Sequence, residues 1–181
     1  MALRLQPFFP DIVHESQIGF MQEHNIFDNV FLFWELTGIA TKTKEDLAVL
    51  SLDFEKAHDR VDWDFMEASF LRLGFPIQWI RAVVSLYREA FNSVLVVGGQ
   101  TRKFVISRSV RQGCPLAPFL FLLVMETFSM YLNSSQVSLK GLPLPTMQQQ
   151  LLDSEFADDT AIYVQGNDDN LRKLQVGVEL E

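Results

Sequence analysis

Two adjacent acids, Asp158 and Asp159, lie between short apolar segments and are the clearest candidates for chemistry in this chain. The flanking residues are rich in aromatic and β-branched types, which predicts a β-hairpin over 154–163 with both carboxylates at its turn. Aspartate is common in ordinary turns, so the pair alone requires no function. Neighbouring carboxylates nevertheless repel each other unless positive charge lies nearby, and a divalent cation would supply that charge.

A third carboxylate, Asp53, ends a compact apolar run over residues 47–54. Such a run predicts a buried strand. An acid at the point where a strand leaves the core can meet a ligand while its backbone stays fixed. The alternative is that Asp53 caps the turn that follows the strand. A shared cation site therefore requires folding to bring Asp53 beside the distant hairpin.

Apolar periodicity and turn signals place these acids in a single domain of helices and strands. A second hairpin is predicted around residues 98–100, residues 8–19 are expected to be irregular, and residues 134–150 are expected to form a loop with a short strand. We find no internal repeat and no linker, so the predicted fold class is α+β, with mixed α/β as the alternative. Helices are predicted over 25–42, 61–73, 76–90, 119–132 and 168–181.

Composition excludes several classes of protein. The one cysteine, Cys114, rules out an intramolecular disulfide, and the three histidines have no cysteine partners at zinc-ligand spacing. No apolar run approaches the ~20 residues of a membrane span, so no membrane association is expected. We expect an intracellular protein, nuclear or cytoplasmic and not secreted. The sixteen phenylalanines predict a well-filled interior.

Charge is distributed unevenly along the chain. The formal net charge is −8, yet residues 68–125 hold seven bases and one acid. A basic middle between acidic flanks would suit one face that meets phosphates and another that holds cations. Bases that only solvate their own surface explain the pattern equally well. The candidates for phosphate contact are Arg102, Lys103, Arg108 and Arg111.

Three segments, in order, resemble the palm motifs of reverse transcriptases from non-LTR (LINE-type) retrotransposons. Residues 51–63 (SLDFEKAHDRVDW) resemble the first motif, residues 111–118 (RQGCPLAP) the second and residues 156–159 (FADD) the third. The segment from Gln17-Ile-Gly-Phe20 to Asp28-Asn29 is similar to the stretch that precedes the palm in that family.

The resemblance implies a palm-type β-sheet backed by helices, with a remnant of the fingers at the N-terminus. Residues 1–46 would connect fingers to palm and residues 47–181 would form the palm, together one partial reverse transcriptase domain. The implied activity is RNA-directed DNA synthesis on an RNA template and a DNA primer, in which the primer 3′-hydroxyl attacks the α-phosphate of a dNTP. The basic residues of the fingers that would grip the triphosphate are expected before residue 1, and the thumb is expected after residue 181.

The resemblance also implies the residues of the site. Its catalytic set is Asp53, Asp158 and Asp159, with Asp159 supporting the site. Two Mg²⁺ ions, or Mn²⁺, would be held by the carboxylates of Asp53 and Asp158 and by the backbone carbonyl of Phe54.

The remaining implied contacts are with the substrate. Gln112 and Gly113 would lie beside the incoming nucleotide and the template base, although without the resemblance a Gly-Pro turn before a helix is the more common explanation of that segment. The family usually has Phe or Tyr where this chain has His58, and that ring excludes the ribose 2′-hydroxyl. We therefore expect weaker discrimination against ribonucleotides.

Two other functions fit the same residues. One is an inactive retroelement remnant that retains the palm fold and either binds nucleic acid or has no function. The other is an unrelated acidic metal-binding domain, which would make the second motif a coincidence. Cys114 is expected to be a small buried residue rather than a nucleophile, since no His or Asn is placed to activate it.

Overall fold

The computed structural model describes residues 1–88, 90–142 and 152–179. The helices are α1 Ala2–Leu5, α2 Phe9–Ile12, α3 Ile26–Thr43, α4 Ala57–Arg60, α5 Trp63–Arg72, α6 Ile77–Val84, α7 Ala117–Leu132 and α8 Asp168–Glu179, and a 3-10 turn, Gln6–Phe8, joins the first two. The strands are β1 Leu47–Asp53, β2 Phe91–Asn92, β3 Leu95–Val96, β4 Gly99–Gln100, β5 Phe104–Val105, β6 Asp153–Phe156 and β7 Asp159–Gln165.

The main sheet has three antiparallel strands in the order β1-β7-β6. The long pairing runs from Leu47 opposite Gln165 to Asp53 opposite Asp159. The hairpin of β6 and β7 turns through two residues, Ala157 and Asp158. The predicted hairpin over 154–163 and the predicted α+β class are therefore confirmed. One detail differs, because Asp159 begins β7 and only Asp158 lies in the turn.

Helices cover both faces of the sheet. On one face Ile162 and Val164 pack with Leu132 of α7 and Leu174 of α8. On the other face Tyr163 packs with Leu36 of α3. A third and larger cluster joins α5, α6 and α7 around buried side chains that include Met66, Phe70, Ile80 and Leu120. The sheet is thus fixed from both sides while its end at Asp53 stays open.

Side-chain caps explain where two of the helices begin. Asn25 and Asp28 form a reciprocal capping box at the start of α3, and the Asp62 carboxylate accepts two backbone N–H groups at the start of α5. The predicted helix over 119–132 is confirmed in α7, whose side chains are mostly buried. The predicted helix over 76–90 ends earlier, at Val84, and continues as turns to residue 88.

Three expectations were wrong in part. Residues 8–19 are not wholly irregular, because Phe9–Ile12 forms a helical turn that buries Phe9. The strand β1 is only half buried, since alternate residues such as Val49 face solvent. It pairs on one side with β7, and no other described strand pairs with its second edge. The second hairpin exists, but as pairs of two-residue strands with a turn at residues 97–98.

Many large apolar side chains are exposed, contrary to the expected well-filled interior. Eight of the sixteen phenylalanines are exposed, and several of them lie on α3. This helix buries Leu36 and Ala40, whereas Phe27, Phe31 and Trp34 are each about 60% exposed. Of the predicted loop over 134–150, residues 134–142 are turns and irregular structure, as expected, and residues 143–150 lie outside the described residues. Within the described residues, no helix is long and apolar enough to cross a bilayer.

Replacing Ile162 by alanine tests the sheet core. Ile162 is fully buried between β1 and β6. Ile162→Ala should lower the free energy of unfolding by about 2–5 kcal/mol, because it removes buried methyl groups and leaves a cavity. Urea denaturation measures the change. Val97→Ala, at a fully exposed turn position, is the control and should change stability by less than about 0.5 kcal/mol. Equal effects of the two substitutions would contradict this packing.

Candidate active site

The open end of the sheet brings the predicted acids together. Asp53 is the last residue of β1 and lies directly opposite Asp159, the first residue of β7. Cross-strand partners project to the same face of a sheet. Asp53 and Asp158 both line one open cleft of about 440 Å³, and the other lining residues are Phe54, Glu55, Lys56, Ala57, His58, Asp59 and Gln112. The cleft thus contains residues from all three sequence motifs.

No described cation neutralises these acids. The described ion pairs join other residues, such as Arg60 with Glu55 and Arg88 with Glu67, and none includes Asp53, Asp158 or Asp159. Like charges held at a shared site favour binding of a cation. Carboxylate oxygens are the donors that Mg²⁺ prefers, so the chemistry of this set fits a hard divalent ion. In the described ranges, no group of three His, Cys, Asp or Glu side chains has metal-binding geometry.

The backbone of Phe54 closes the turn that leaves β1. Its carbonyl accepts the N–H of Ala57 at 3.1 Å, an ordinary hydrogen-bond length. A carbonyl oxygen has a second lone pair, which remains for another contact. The Phe54 ring packs edge-on against Phe128 of α7, with ring centroids 5.7 Å apart. Phe54, which lines the cleft, is therefore held by both its turn and its side chain.

His58 is fixed on the same side of the cleft. Its ring stacks on Phe121 of α7, with centroids 4.1 Å apart and planes inclined by 17°. Its carbonyl accepts the N–H of Val110 at 2.8 Å. The side chain also lines an adjoining cavity of about 460 Å³ together with Gln112 and Gly113. His58 therefore lies between the acids and the loop of the second motif.

Asp59 links the first and second motifs, and sequence reasoning gave it no role. Its Oδ1 accepts a hydrogen bond from Gln112 Nε2 at 3.3 Å and another from Ser109 Oγ at 3.3 Å. Trp63 Nε1 donates to the carbonyl of Ser109 at 2.9 Å. The loop before α7 is thereby tied to α4 and α5. The signal in the sequence was the second aspartate of the first motif.

Lys56 is the second residue that sequence reasoning missed. It is exposed, lines the same cleft and has a left-handed backbone conformation with φ 53°. Its place in the first motif, between Asp53 and His58, was the available signal. A Lys side chain beside carboxylates can offer positive charge to phosphate groups that enter the cleft.

The four predicted phosphate-contact residues lie apart from the acids. Arg102 and Lys103 are exposed between β4 and β5, and Arg108 forms a backbone bridge with Asp62. The Arg111 guanidinium lies over the Tyr87 ring at 5.9 Å from its centroid. The structure therefore places the bases along one segment and does not bring them into the acidic cleft.

Behind the hairpin lies a group of buried acids that sequence reasoning did not single out. Asp153 accepts hydrogen bonds from Ser16, Ser129 and Asn133, and Glu126 accepts one from the backbone N–H of His14. Glu155 is fully buried and its Oε1 has no hydrogen-bond partner.

The pKa values of two of these acids are raised. Burial raises the pKa of Glu155 to about 8, with further contributions from the charges of Asp153 and Glu126. Burial also raises the pKa of Glu126 above its ordinary value. Glu155 therefore carries a proton near neutral pH.

Comparison with protein families gives one match over nearly the whole chain. The family described as reverse transcriptase (RNA-dependent DNA polymerase) matches residues 1–179. The Transposon TX1 uncharacterized 149 kDa protein of Xenopus laevis is 34% identical over 165 residues, which is 91% of this chain and 12% of that protein. The Pol polyprotein of the type-1 retrotransposable element R2 of Popillia japonica is 27% identical over 157 residues, 86% of this chain and 21% of that protein. The chain thus spans about a fifth or less of these relatives.

Solved structures with the same fold include two telomerases. The apo telomerase of Candida tropicalis, truncated from its C-terminal domain, has a TM-score of 0.65 at 15% identity and covers 98% of this chain and 35% of that one. The telomerase of Candida albicans in complex with a fragment of telomeric RNA has a TM-score of 0.64 at 13% identity and covers 98% and 31%. At these identities the likeness shows the fold alone.

Protonation of Glu155 predicts a pH dependence of stability. Its folded pKa of about 8 exceeds the ordinary value of 4.5, so the folded chain binds more protons than the unfolded chain between those values. The free energy of unfolding should therefore fall as pH rises through this window, by at most about 1.4 kcal/mol per pH unit from this group. Glu155→Gln cannot ionise and should remove that part of the slope.

Urea denaturation at about pH 5.5 and about pH 7.5 measures the slope in each variant. Glu15→Gln, at an exposed position, is the matched control and should leave the slope unchanged. The Glu126 carboxyl, whose pKa is also raised, should leave a residual slope in Glu155→Gln. Identical slopes for the native chain and Glu155→Gln would contradict a buried protonated acid.

Proposed function

The chain belongs to the reverse transcriptase (RNA-dependent DNA polymerase) family, and from that premise we propose that its acidic cleft catalyses RNA-directed DNA synthesis. In this reaction a primer 3′-hydroxyl attacks the α-phosphate of a dNTP, the new phosphodiester bond forms and pyrophosphate leaves. The observation that carries the proposal is the cleft itself. Asp53 of the first motif, Gln112 of the second and Asp158 of the third line it together.

Divalent cations would complete the site. Bound Mg²⁺ or Mn²⁺, two ions in polymerases of this kind, supplies charge that activates a hydroxyl and stabilises the leaving phosphates. We assign the carboxylates of Asp53 and Asp158 and the carbonyl of Phe54 as the ligands. Asp159 lies opposite Asp53, and its carboxylate would add to the negative potential at the ligands Asp53 and Asp158. The unpaired state of these acids among the described residues supports the assignment.

The other residues of the cleft would position the nucleotide. Lys56, which lines the cleft, would approach the triphosphate, and the exposed Gln112-Gly113 turn would lie beside the nucleotide and the template base. Gly113 has φ 80°, a conformation that suits glycine and leaves its backbone open to close approach. Catalysis would then depend mainly on positioning and charge stabilisation.

The template and primer would contact the basic segment that follows α6. Arg102, Lys103, Arg108 and Arg111 are exposed and carry no acidic partner among the described ion pairs. Such residues neutralise phosphates without reading sequence. They would hold the duplex beside the cleft rather than take part in the chemistry. Residues 1–46 would serve as the connection to the fingers and residues 47–181 as the palm.

Removing one assigned ligand tests the activity. Asp158→Ala should abolish primer extension on an RNA template with Mg²⁺, by at least about 1000-fold, because the transition-state charge loses its support. Extension of a labelled primer on a gel measures the rate. Asp11→Ala, an exposed acid on α2, is the control and should extend at the native rate.

The same assay separates the enzyme from the inactive remnant. Extension by the native chain that Asp158→Ala loses supports the polymerase. If neither chain extends a primer while Mg²⁺ still binds, the remnant interpretation holds for this chain. Equal extension by both chains would remove Asp158 from the chemistry.

The ring at position 58 should set sugar discrimination. His58 is held against Phe121, but its ring carries polar nitrogens that can accommodate a 2′-hydroxyl, unlike a phenyl ring. His58→Phe should raise the preference for dNTP over NTP by about tenfold, since the hydroxyl would be left unpaired against an apolar ring. The ratio of kcat/KM for dTTP and UTP measures it.

The control for this ratio is Phe128→Leu, at a ring that packs behind the cleft on Phe54 and does not line the wall formed by His58. This variant should change the rates of both nucleotides alike. An unchanged dNTP-to-NTP ratio in His58→Phe would discard the role of His58 as a sugar gate.

A further inference from the structure

The Gln17 side chain contacts the turn of the acidic hairpin from behind. It is 2% exposed and lies outside the cleft. Its Oε1 accepts the N–H of Ala157 at 2.9 Å and that of Gly19 at 2.9 Å. Its Nε2 donates to the carbonyl of Ala157 at 3.1 Å and to Glu155 Oε2 at 2.9 Å. All four of these hydrogen bonds are therefore made to the hairpin or to the loop that carries Gln17.

The two bonds to Ala157 fix the peptide planes on both sides of that residue. The carbonyl of Ala157 belongs to the same peptide group as the N–H of Asp158, so orienting this plane orients the backbone of Asp158. Ala157 has φ 58°, a left-handed conformation that a residue with a side chain rarely adopts. A turn of this kind relaxes unless its surroundings hold it.

Backbone hydrogen bonds dock the same segment along β6. Ile18 N–H donates to the carbonyl of Glu155 at 3.0 Å, and the N–H of Glu155 donates to the carbonyl of Ser16 at 2.8 Å. These bonds form a parallel bridge between Gln17 and Glu155 on the outer edge of the sheet. These bonds fix the backbone of Gln17, and its side-chain amide is therefore held beside the turn.

Gly19 shows how close the two segments lie. A Cβ added at Gly19 would lie 2.2 Å from the backbone nitrogen of Ala157 and 2.9 Å from its Cα. Both contacts are with backbone, which cannot move aside as a flexible side chain can. Only glycine at this position allows the loop to press against the turn.

We propose that Gln17 is a positioning residue for Asp158, which holds the turn of the hairpin so that the Asp158 carboxylate stays aimed into the cleft. The proposal rests on the function assigned above for its catalytic consequence, and it names a residue remote from the three motifs. Gln17 does not line the cleft, so it acts through Ala157 and has no contact with the nucleotide. Replacing Gln17 should lower kcat and metal affinity and leave KM for the dNTP nearly unchanged.

Two substitutions separate the hydrogen bonds that Gln17 accepts from those that it donates. Gln17→Met keeps the length of the side chain and removes all four hydrogen bonds. Gln17→Glu keeps an acceptor for the N–H groups of Ala157 and Gly19 and replaces the amide N–H donors to the Ala157 carbonyl and to Glu155 with at most one O–H. Gln78→Met, at an exposed position on α6, is the matched control.

Hydrogen exchange by NMR reports on the turn without requiring activity. In Gln17→Met, exchange of the Ala157 amide should be faster by at least about tenfold, because its acceptor is gone. The Tyr163 amide donates to the carbonyl of Leu152 at 2.7 Å and serves as the internal reference for the sheet, so its exchange should not change. Gln17→Glu should retain most of the protection at Ala157, and Gln78→Met should retain all of it.

Primer extension and Mn²⁺ titration followed by EPR give the functional readouts. In Gln17→Met, kcat should fall by about 10–100-fold, since displacement of a reacting group by about 1 Å has an effect of this size. The Kd for Mn²⁺ should rise by about tenfold, because the Asp158 carboxylate is no longer held in one orientation. Gln17→Glu should lie between Gln17→Met and the native chain in both measurements.

Several results would overturn the proposal. Equal loss of protection at Ala157 and Tyr163 would mean that Gln17 only stabilises the fold. Faster exchange at Ala157 with native kcat would mean that the turn need not be held for catalysis. If the native chain extends no primer, the proposed polymerase activity of this chain fails, and the metal titration alone decides. In that case weaker Mn²⁺ binding in Gln17→Met supports the positioning role of Gln17, and unchanged binding refutes it.

Discussion

The antiparallel pairing of β1 with β7 is the constraint on which the candidate site depends. The pairing of β1 with β7 places Asp53 opposite Asp159, and the tight turn adds Asp158 beside them. Carboxylates that lie close together repel one another, so the backbone that carries them has to be rigid. Packing on both faces of the sheet supplies that rigidity, because α3 on one side and α7 with α8 on the other leave the strands little freedom to separate.

The buried acids behind the hairpin are accommodated in a different way. Glu155 lies three residues before Asp158, yet burial keeps a proton on it, so it adds no negative charge beneath the turn near neutral pH. Asp153 instead accepts hydrogen bonds from the Ser16 and Ser129 hydroxyls and the Asn133 amide. The hairpin therefore carries exposed charge on its tip and neutral or compensated acids on its arm. The difference between tip and arm comes from burial and hydrogen bonding, not from residue type.

Much of this architecture follows from local sequence. The hairpin, α3, α7 and the strand that ends at Asp53 are set by turn residues, caps and apolar periodicity, which act over a few residues. The three motifs in order identified the family, and the match over residues 1–179 confirms it. The roles assigned to His58, Gln112 and the acids stay predictions.

Long-range contacts explain what sequence reasoning missed. The side-chain hydrogen bonds of Gln17 to Ala157 join residues 140 positions apart, and no periodicity in either segment indicates them. The protonated state of Glu155 likewise depends on Asp153 and Glu126, which only folding brings near. The exposure of β1 and α3 could not be read from their apolar residues, because an apolar segment does not specify how many of its faces the fold covers.

The uncovered aromatic face of α3 has a thermodynamic consequence. The heat-capacity increment of unfolding and the denaturant m-value both scale with the apolar surface that becomes newly hydrated. Phe27, Phe31 and Trp34 are already largely hydrated in the folded chain, so they add little to either quantity. The stability curve of this chain should therefore be flatter with temperature than its length and its content of phenylalanine would suggest.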